Sequence, residues 1–258
     1  MNRLALVAAM PEELQALLDT MPDETPVRRG GREFWCGHLH GVEVVAVLSG
    51  IGKVAAAITT TLLISEFKVD ALLFTGVAGG LGPDVRVGDV VVATDLVQHD
   101  MDASPLFPRH EIPGRGITRL PASPALSEAL ARGARQALCP EALGQGGPLS
   151  DVHLHELGLQ APRVHTGLIL SGDRFIGTAA DSQALRQAFP DALAVEMEGA
   201  AIAQVCMDLA LPFAVVRTIS DRADDAAHVD FMRFVSDVAQ RYSSAIVAQV
   251  LRSWPAHP

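Results

Sequence analysis

Short apolar runs recur along the chain, and longer segments with a mixed apolar and polar pattern lie between them. Continuous apolar runs of this length are typical of strands buried on both faces of a sheet. One further stretch, REFWCGHLHGVEVVAVLSG, predicts a hairpin that turns near His40-Gly41. The runs that predict strands are LALVAAM (4–10), DALLFTG (70–76), VGDVVVATD (87–95), VHTGLILSGD (164–173), ALAVEME (192–198) and FAVVRTISD (213–221).

The segments between the strands predict helices, several of which begin with proline or with a residue that caps helices. They cover 11–21, 54–67, 123–138, 178–188, a segment that ends at 209, and 230–252. Two Pro/Gly-rich stretches, 102–118 and 140–161, predict loops and not domain linkers, because the alternation of strands and helices resumes after each. The pattern therefore predicts an α/β fold with helices on both faces of the sheet, in a single domain that spans 1–258.

Composition narrows the class of ligand. The 258 residues are 49% hydrophobic and 19% charged, and the formal net charge is −10 without a basic run. This balance predicts no binding to nucleic acid and none to anionic membranes, and it favours a small polar or neutral ligand. Three widely spaced cysteines indicate neither a disulfide framework nor a zinc site. The N-terminal run lacks the features of a signal peptide, so we expect a cytoplasmic protein.

Two glycine-rich segments follow predicted strands. SGIGK (49–53) lacks the earlier glycine and the Ser or Thr of a P-loop, and GVAGGLG (76–82) lacks the spacing of the dinucleotide-binding motif. Either segment alone is explained by a tight turn. Two of them at the ends of strands are better explained by a ligand, because open α/β sheets bind ligands beyond the carboxyl ends of their strands.

Carboxylates also follow strands, most notably in AVEMEGAAIAQVC (194–206), where two acids interrupt an apolar run. If this segment stays extended, alternation places Glu196 and Glu198 on one face. A buried carboxylate is costly unless it accepts hydrogen bonds, and the two hydroxyls of a ribose would donate them. One of these acids is therefore a candidate sugar ligand. Glu12 and Glu13 after the first strand, and Ser220-Asp221 after the last, have a simpler explanation as charges or caps at helix N-termini.

Other kinds of chemistry find little support. His38 with His40, and His153 with His155, form H-x-H pairs without an obvious third ligand, so no metal site is predicted. No nucleophile elbow is present, and no cysteine has a recognisable catalytic setting. General acid–base catalysis by carboxylates from separate segments remains.

Six segments carry a resemblance to a known family: AAMPEEL, LSGIGKVAAA, FTGVAGGLGPDVRVGDVVVATDLVQHDMD, LSGDRFI, AVEMEGAAIAQVC and VVRTISDRAD. In this order they resemble segments of the 5′-methylthioadenosine/S-adenosylhomocysteine nucleosidases, which belong to the purine-nucleoside phosphorylase/uridine phosphorylase superfamily. The resemblance covers most of the chain, from residue 4 to about 234, and six ordered segments are far more specific than any one of them. It implies a mixed, partly barrel-like central sheet flanked by helices, with no cofactor and no metal.

The resemblance also implies roles for individual residues. Glu13 matches the acid that activates water, and Asp221 matches the acid that protonates the purine N7. Glu198 would hold the ribose 2′- and 3′-hydroxyls, and Phe175 would stack on the purine. Part of the pocket for the 5′ substituent comes from a partner subunit in the family, so a homodimer is implied. Patterns and resemblance together give the expected substrate-binding residues: Ile51, Val77, Ala78, Gly79, Phe175, Ile176, Glu196, Met197, Glu198, Ser220 and Phe231.

Three alternatives stay open. A phosphorylase of the same superfamily would need an anion-binding arginine before the central glycine-rich loop, where this chain has Phe74-Thr75. Another nucleoside hydrolase, such as futalosine hydrolase, would release hypoxanthine with the same Asp221. A binding module without activity would be expected to lack Glu13 or Asp221. Val77, where the short nucleosidases have serine, leaves the identity of the substrate less certain than the fold.

Overall fold

The computed structural model describes residues 3–139, 161–224, 234 and 238–254, and these form one sheet with helices around it. The strands are Leu4–Ala8 (β1), Thr25–Arg29 (β2), Arg32–Leu39 (β3), Val42–Leu48 (β4), Ala71–Thr75 (β5), Val77–Gly80 (β6), Val90–Gln98 (β7), Leu120–Pro121 (β8), Val164–Ser171 (β9), Ala192–Glu196 (β10) and Phe213–Asp221 (β11). The helices are Pro11–Leu18 (α1), Lys53–Ser65 (α2), Pro124–Ala137 (α3), Ala179–Ala188 (α4), Gly199–Asp208 (α5) and Gln240–Arg252 (α6).

The sheet is mixed and partly closed. Its strand order is β2-β3-β4-β1-β5-β11-β6-β10-β9-β7-β8, and β11 also pairs with β7. That extra pairing closes β11, β6, β10, β9 and β7 into a barrel-like ring, while β5, β1 and β4 extend from it as an open sheet. The expected α/β fold with a mixed, partly barrel-like sheet is therefore confirmed.

Most of the predicted elements are present, with helices that begin or end a few residues inside the predicted limits. The hairpin is formed by β3 and β4, and its turn residues His40 and Gly41 both have positive φ. Of the helix predicted at 230–252, the described residues 234 and 238–252 are all helical, with Gln240–Arg252 as α6, and the other residues of that range lie outside the description.

Three strands were not predicted from the sequence: β2, β6 and the two-residue β8. The glycine-rich segment after β5 was expected to be a loop, but Val77–Gly80 forms a strand between β10 and β11. Hydrogen bonds from a strand on each side outweigh the low strand propensity of glycine there. The edge strand β2 was not predicted, because its mostly exposed TPVRR segment has no buried face to produce a pattern.

Alternate residues of the central strands enter different layers of the core. Leu4 and Leu6 of β1 belong to a cluster that includes α1, α3 and α6, while Ala5 and Val7 belong to the cluster with α2 and α5. This explains why β1 is apolar at every position. None of the helices in the described ranges has both the length and the apolar composition that a membrane crossing requires.

Candidate active site

A cavity of about 850 Å³, which includes its open mouth, lies where β1, β6, β10 and β11 meet the loop after β9. It brings together nearly all the residues expected to bind substrate, together with Asp221. Phe231 lies outside the described residues, and Glu13 is not among the lining side chains. The lining residues are Ala9, Met10, Ile51, Val77, Ala78, Gly79, Arg174, Phe175, Ile176, Val195, Glu196, Met197, Glu198, Ser220 and Asp221.

Glu13 lies directly behind the cavity wall and is fully buried. As the third residue of α1, it reaches back so that its Oε2 accepts the backbone N–H of Met10 at 3.1 Å. Its Oε1 accepts a bond from Ser243 Oγ of α6 at 3.3 Å, and Ser243 contacts Thr75 at 2.7 Å. Burial raises the pKa of Glu13, although the charge of Arg217 and these hydrogen bonds lower it. A base with a raised pKa takes a proton from water more readily at neutral pH.

Asp221 ends β11 at an irregularity in the strand. The register of β11 against β6 shifts between Ile219 and Asp221. In a regular strand Ser220 and Asp221 would point to opposite faces, whereas here both line the cavity. Ser220 Oγ donates to Asp221 Oδ2 at 2.8 Å, and the N–H of Ala223 donates to Oδ1 at 2.7 Å. The carboxyl group is thus held at the cavity wall in a fixed orientation.

Glu196 and Glu198 have different environments, which answers why two acids interrupt this apolar run. The segment does not stay extended as far as Glu198, which has φ −130° and ψ −38° and begins the turn into α5, so the condition for placing both acids on one strand face is not met. Glu196 Oε2 accepts the N–H of Glu198 at 3.1 Å and that of Gly199 at 2.9 Å, and Oε1 accepts Ser171 Oγ. Glu196 therefore lines the cavity, but its carboxylate is occupied by groups of the protein.

Among the described residues next to the cavity, the sequence analysis did not single out Arg217. It is fully buried in β11, and its Nη2 donates to Glu196 Oε2 at 2.7 Å. Its guanidinium carbon lies 3.7 Å from the centroid of the Phe74 ring. A Cβ at residue 76 would lie 2.6 Å from Nη1, so only Gly76 leaves room for this side chain. A lone arginine within the apolar run FAVVRTISD was the available signal, because a buried cation requires a partner.

Glu198 faces the cavity, and its carboxylate accepts one hydrogen bond from the main chain of another segment. Gly52, which precedes α2, donates its N–H to Glu198 Oε1 at 2.8 Å. Burial, with repulsion from Glu196, raises the pKa of Glu198 to about 7, although the Gly52 bond and Arg217 lower it. The two sequence-predicted carboxylates thus have separate tasks. Glu196 neutralises Arg217, and Glu198 is the one placed to accept hydrogen bonds from a ligand.

Apolar side chains also line the cavity. Phe175 and Ile176, in the loop after β9, line it together with Val77. Phe175 is 42% exposed, so its ring is accessible for stacking, while Ile176 is buried. Ile51 also lines the cavity, yet it is 73% exposed to solvent.

Residues considered as metal ligands have other roles or lie outside the description. His38 Nδ1 is 2.7 Å from Asp23 Oδ2 at the surface. His153 and His155 lie outside the described residues. In the part of the chain that the structure describes, no three or more His, Cys, Asp or Glu side chains are grouped to hold a metal ion.

Comparisons with known proteins show the family to which the chain belongs. The family model described as the phosphorylase superfamily matches residues 3–252. A solved 5′-methylthioadenosine/S-adenosylhomocysteine nucleosidase from Neisseria meningitidis, in complex with methylthio-immucillin-A, is 35% identical with a TM-score of 0.84. That alignment covers 98% of this chain and 100% of the other. The corresponding nucleosidase from S. pneumoniae is 32% identical with a TM-score of 0.82, again with 98% and 100% covered.

A futalosine hydrolase mutant from Helicobacter pylori is also similar, with 31% identity, a TM-score of 0.81, and 98% and 100% of the two chains covered. The family match extends over nearly the whole chain, and each of these structures aligns along nearly its full length. The resemblance found in the sequence is therefore confirmed: the chain belongs to the phosphorylase superfamily, and it is similar there to the 5′-methylthioadenosine/S-adenosylhomocysteine nucleosidases.

Proposed function

We propose that this chain hydrolyses the N-glycosidic bond of 5′-methylthioadenosine and S-adenosylhomocysteine, releasing adenine and the 5′-thioribose. The observation that carries the proposal is the placement of carboxyl groups around one cavity. Asp221 and Glu198 line it, and the buried Glu13 lies behind the Met10 backbone. The similarity to nucleosidases of this specificity supports the choice of substrate.

In the proposed reaction, Asp221 donates a proton to N7 of the adenine while the C1′–N9 bond breaks. The bonding electrons leave with the base, and positive charge develops on the ribose. Glu13 takes a proton from a water molecule, whose oxygen forms the new bond to C1′. This division of labour is analogous to that of the two carboxyl groups in an inverting glycosidase. Each positioned proton transfer contributes on the order of 10²–10⁴ in rate.

The other residues would bind and orient the substrate. Glu198, once ionised, would accept hydrogen bonds from the 2′- and 3′-hydroxyls, and Phe175 would stack on the purine. Binding energy from these remote groups contributes to catalysis when it is fully realised only in the transition state. Arg217 would reduce the repulsion among the buried carboxylates Glu13, Glu196 and Glu198. Its positive charge lowers the pKa of both Glu13 and Glu198.

Water is favoured over phosphate as the acceptor because the nearby cations are engaged. Lys53 Nζ donates to Asp100 at 2.7 Å and to Gln98 at 3.1 Å. Arg217 is paired with Glu196. Arg174 lines the cavity and pairs with Asp181. A phosphorylase would have to break one of these pairs to bind its anion.

We also propose that the chain acts as a homodimer in which the partner completes the pocket for the 5′ substituent. The supporting feature is a row of exposed apolar side chains that begins at the cavity mouth. Ile51 and Val54 are more than 70% exposed, and Ile58 lies one turn beyond Val54 on the same face of α2. A second copy that covers this row would also cover the exposed side of Ile51.

Product analysis tests the reaction. The protein is incubated with 5′-methylthioadenosine in buffer freed of phosphate, then with phosphate added, and futalosine is tested in parallel. Adenine and free methylthioribose without phosphate would support the proposal. A requirement for phosphate, with methylthioribose-1-phosphate as product, would make the protein a phosphorylase. Turnover of futalosine alone would reassign the base to hypoxanthine.

A further inference from the structure

Two loops form the sugar side and the base side of the cavity, and both are fixed by one aspartate. The loop before α2 supplies the N–H of Gly52 to Glu198. The loop after β9 supplies Phe175 and Ile176. Asp173 belongs to the second loop, and its Oδ1 accepts the N–H of Lys53, the first residue of α2, at 2.7 Å. The Asp173 carboxylate therefore joins the two loops directly.

Helix α2 depends on this contact because it lacks a cap of its own. Its N-cap residue is Gly52, which has no side chain, and its first turn has no acid. Glu198 and Asp173, from distant parts of the chain, accept its first two N–H groups. Gly52 has φ +88°, and a Cβ there would lie 2.9 Å from Asp173 Oδ1. Glycine at this position thus permits the approach of Asp173.

Asp100 completes a closed ring of hydrogen bonds. Its Oδ2 accepts the N–H of Asp173 at 2.8 Å, and its Oδ1 accepts Lys53 Nζ at 2.7 Å. Burial alone raises the pKa of Asp100, but the bonds from Lys53 and Asp173 outweigh this and hold it below its usual value. Asp100 is therefore ionised at neutral pH. Lys53, Asp173 and Asp100 each contact the other two, so moving one loop strains the other.

We propose that this ring, Lys53–Asp173–Asp100, positions catalytic-site residues: it fixes the ribose-binding Glu198 relative to the purine-binding loop. The inference rests on the proposed function for what the two sides of the cavity bind. None of the three residues is assigned a contact with the reacting atoms. They act through the Gly52 N–H, whose position fixes one oxygen of Glu198 while Phe175 and Ile176 fix the base. Without the ring, the position of Glu198 would no longer be coupled to the positions of Phe175 and Ile176 through these contacts.

Hydrogen exchange tests the ring without any substrate. In Asp173→Ala, we expect the amide of Gly52 to exchange roughly tenfold faster or more, although its own acceptor is Glu198 and not Asp173. Asp173→Asn keeps an oxygen for Lys53 N and should largely restore protection. Asp191→Ala serves as the matched control, because Asp191 accepts two bonds from Arg119 elsewhere on the surface. Unchanged exchange at Gly52 in Asp173→Ala would overturn the proposal, whatever the protein's substrate is.

Kinetics then test the consequence for catalysis. We expect Asp173→Ala to lower kcat/KM for 5′-methylthioadenosine by roughly tenfold or more, while the Kd for free adenine stays within about threefold. The preference for this substrate over its 2′-deoxy analogue should shrink, because Glu198 no longer grips the diol in register. An undiminished preference in Asp173→Ala would contradict the proposal. A wild-type protein that does not turn over 5′-methylthioadenosine would instead overturn the proposed function. The exchange experiment would still show whether the ring positions Gly52.

Discussion

Glu196 and Arg217 form an ion pair beneath the cavity, with Glu196 Oε2 2.7 Å from Arg217 Nη2. Both side chains are almost completely buried, at 3% and 0% exposure. Charges at such depth are stable only when their hydrogen-bonding groups are satisfied. Glu196 meets this condition more fully, since Ser171 Oγ and the N–H groups of Glu198 and Gly199 also donate to it.

This asymmetry predicts the effect of breaking the pair. Glu196→Leu should lower the free energy of unfolding by about 3–5 kcal/mol, because it leaves the Arg217 cation buried without a carboxylate. Arg217→Met should cost less, since Glu196 keeps its other donors. Urea denaturation measures both values. Arg28→Met, which removes an exposed ion pair with Glu33, is the control and should change stability by less than about 1 kcal/mol. The reverse order for the two buried substitutions would refute this explanation.

Glu198 should make stability depend on pH. Its pKa is raised from 4.5 to about 7 in the folded protein. A carboxyl group with a raised folded-state pKa favours the folded state below its unfolded pKa, and that contribution is lost as the pH rises through about 7. Glutamine does not ionise, so Glu198→Gln avoids this destabilisation at high pH. Its Tm should therefore exceed the wild-type value by roughly 5 °C or more at pH 8. The difference should be much smaller at pH 5, and a gap independent of pH would contradict the assignment.

The same group predicts how substrate binding depends on pH. Glu198 must be ionised to accept hydrogen bonds from both ribose hydroxyls, so KM for 5′-methylthioadenosine should rise as the pH falls below about 7. In Glu198→Gln, KM should be high at every pH and should lose this dependence. Initial rates at several substrate concentrations, in buffers of constant ionic strength, give KM at each pH. A wild-type KM that stays flat from pH 8 to pH 5 would exclude Glu198 as the titrating group.

The apolar row on α2 predicts a concentration-dependent dimer. Val54→Glu with Ile58→Glu should convert the protein to monomers in light scattering, because two charges would be buried in the interface. KM should rise more for 5′-methylthioadenosine than for adenosine, which lacks the thiomethyl group. Ala125→Glu adds one glutamate at an exposed position at the start of α3 and should leave the oligomeric mass unchanged. A wild-type protein that is monomeric at high concentration would disprove the proposed dimer.

Structure was predicted best from the sequence where a local pattern alone determines it. The buried strands, the hairpin at His40-Gly41 and most of the cavity residues were predicted from apolar runs, turn chemistry and motif order. Arg217 was missed because its role depends on Glu196, which lies 21 positions away along the chain. β6 was missed because its pairing with β10 and β11 outweighs a glycine-rich composition. The separate tasks of Glu196 and Glu198 required the three-dimensional positions of Gly52 and Arg217, which spacing alone does not supply.

The proposed function requires Glu13 to act on the attacking water and Asp221 to act on the purine N7. The most direct test is the rate of adenine release from 5′-methylthioadenosine, without phosphate, by Glu13→Gln and by Asp221→Asn. Both substitutions are close in size to the native residues, so circular dichroism should match that of the wild type. The account predicts a kcat lower by about 10²–10⁴ in each variant. A kcat within a few-fold of wild type in either one would contradict it.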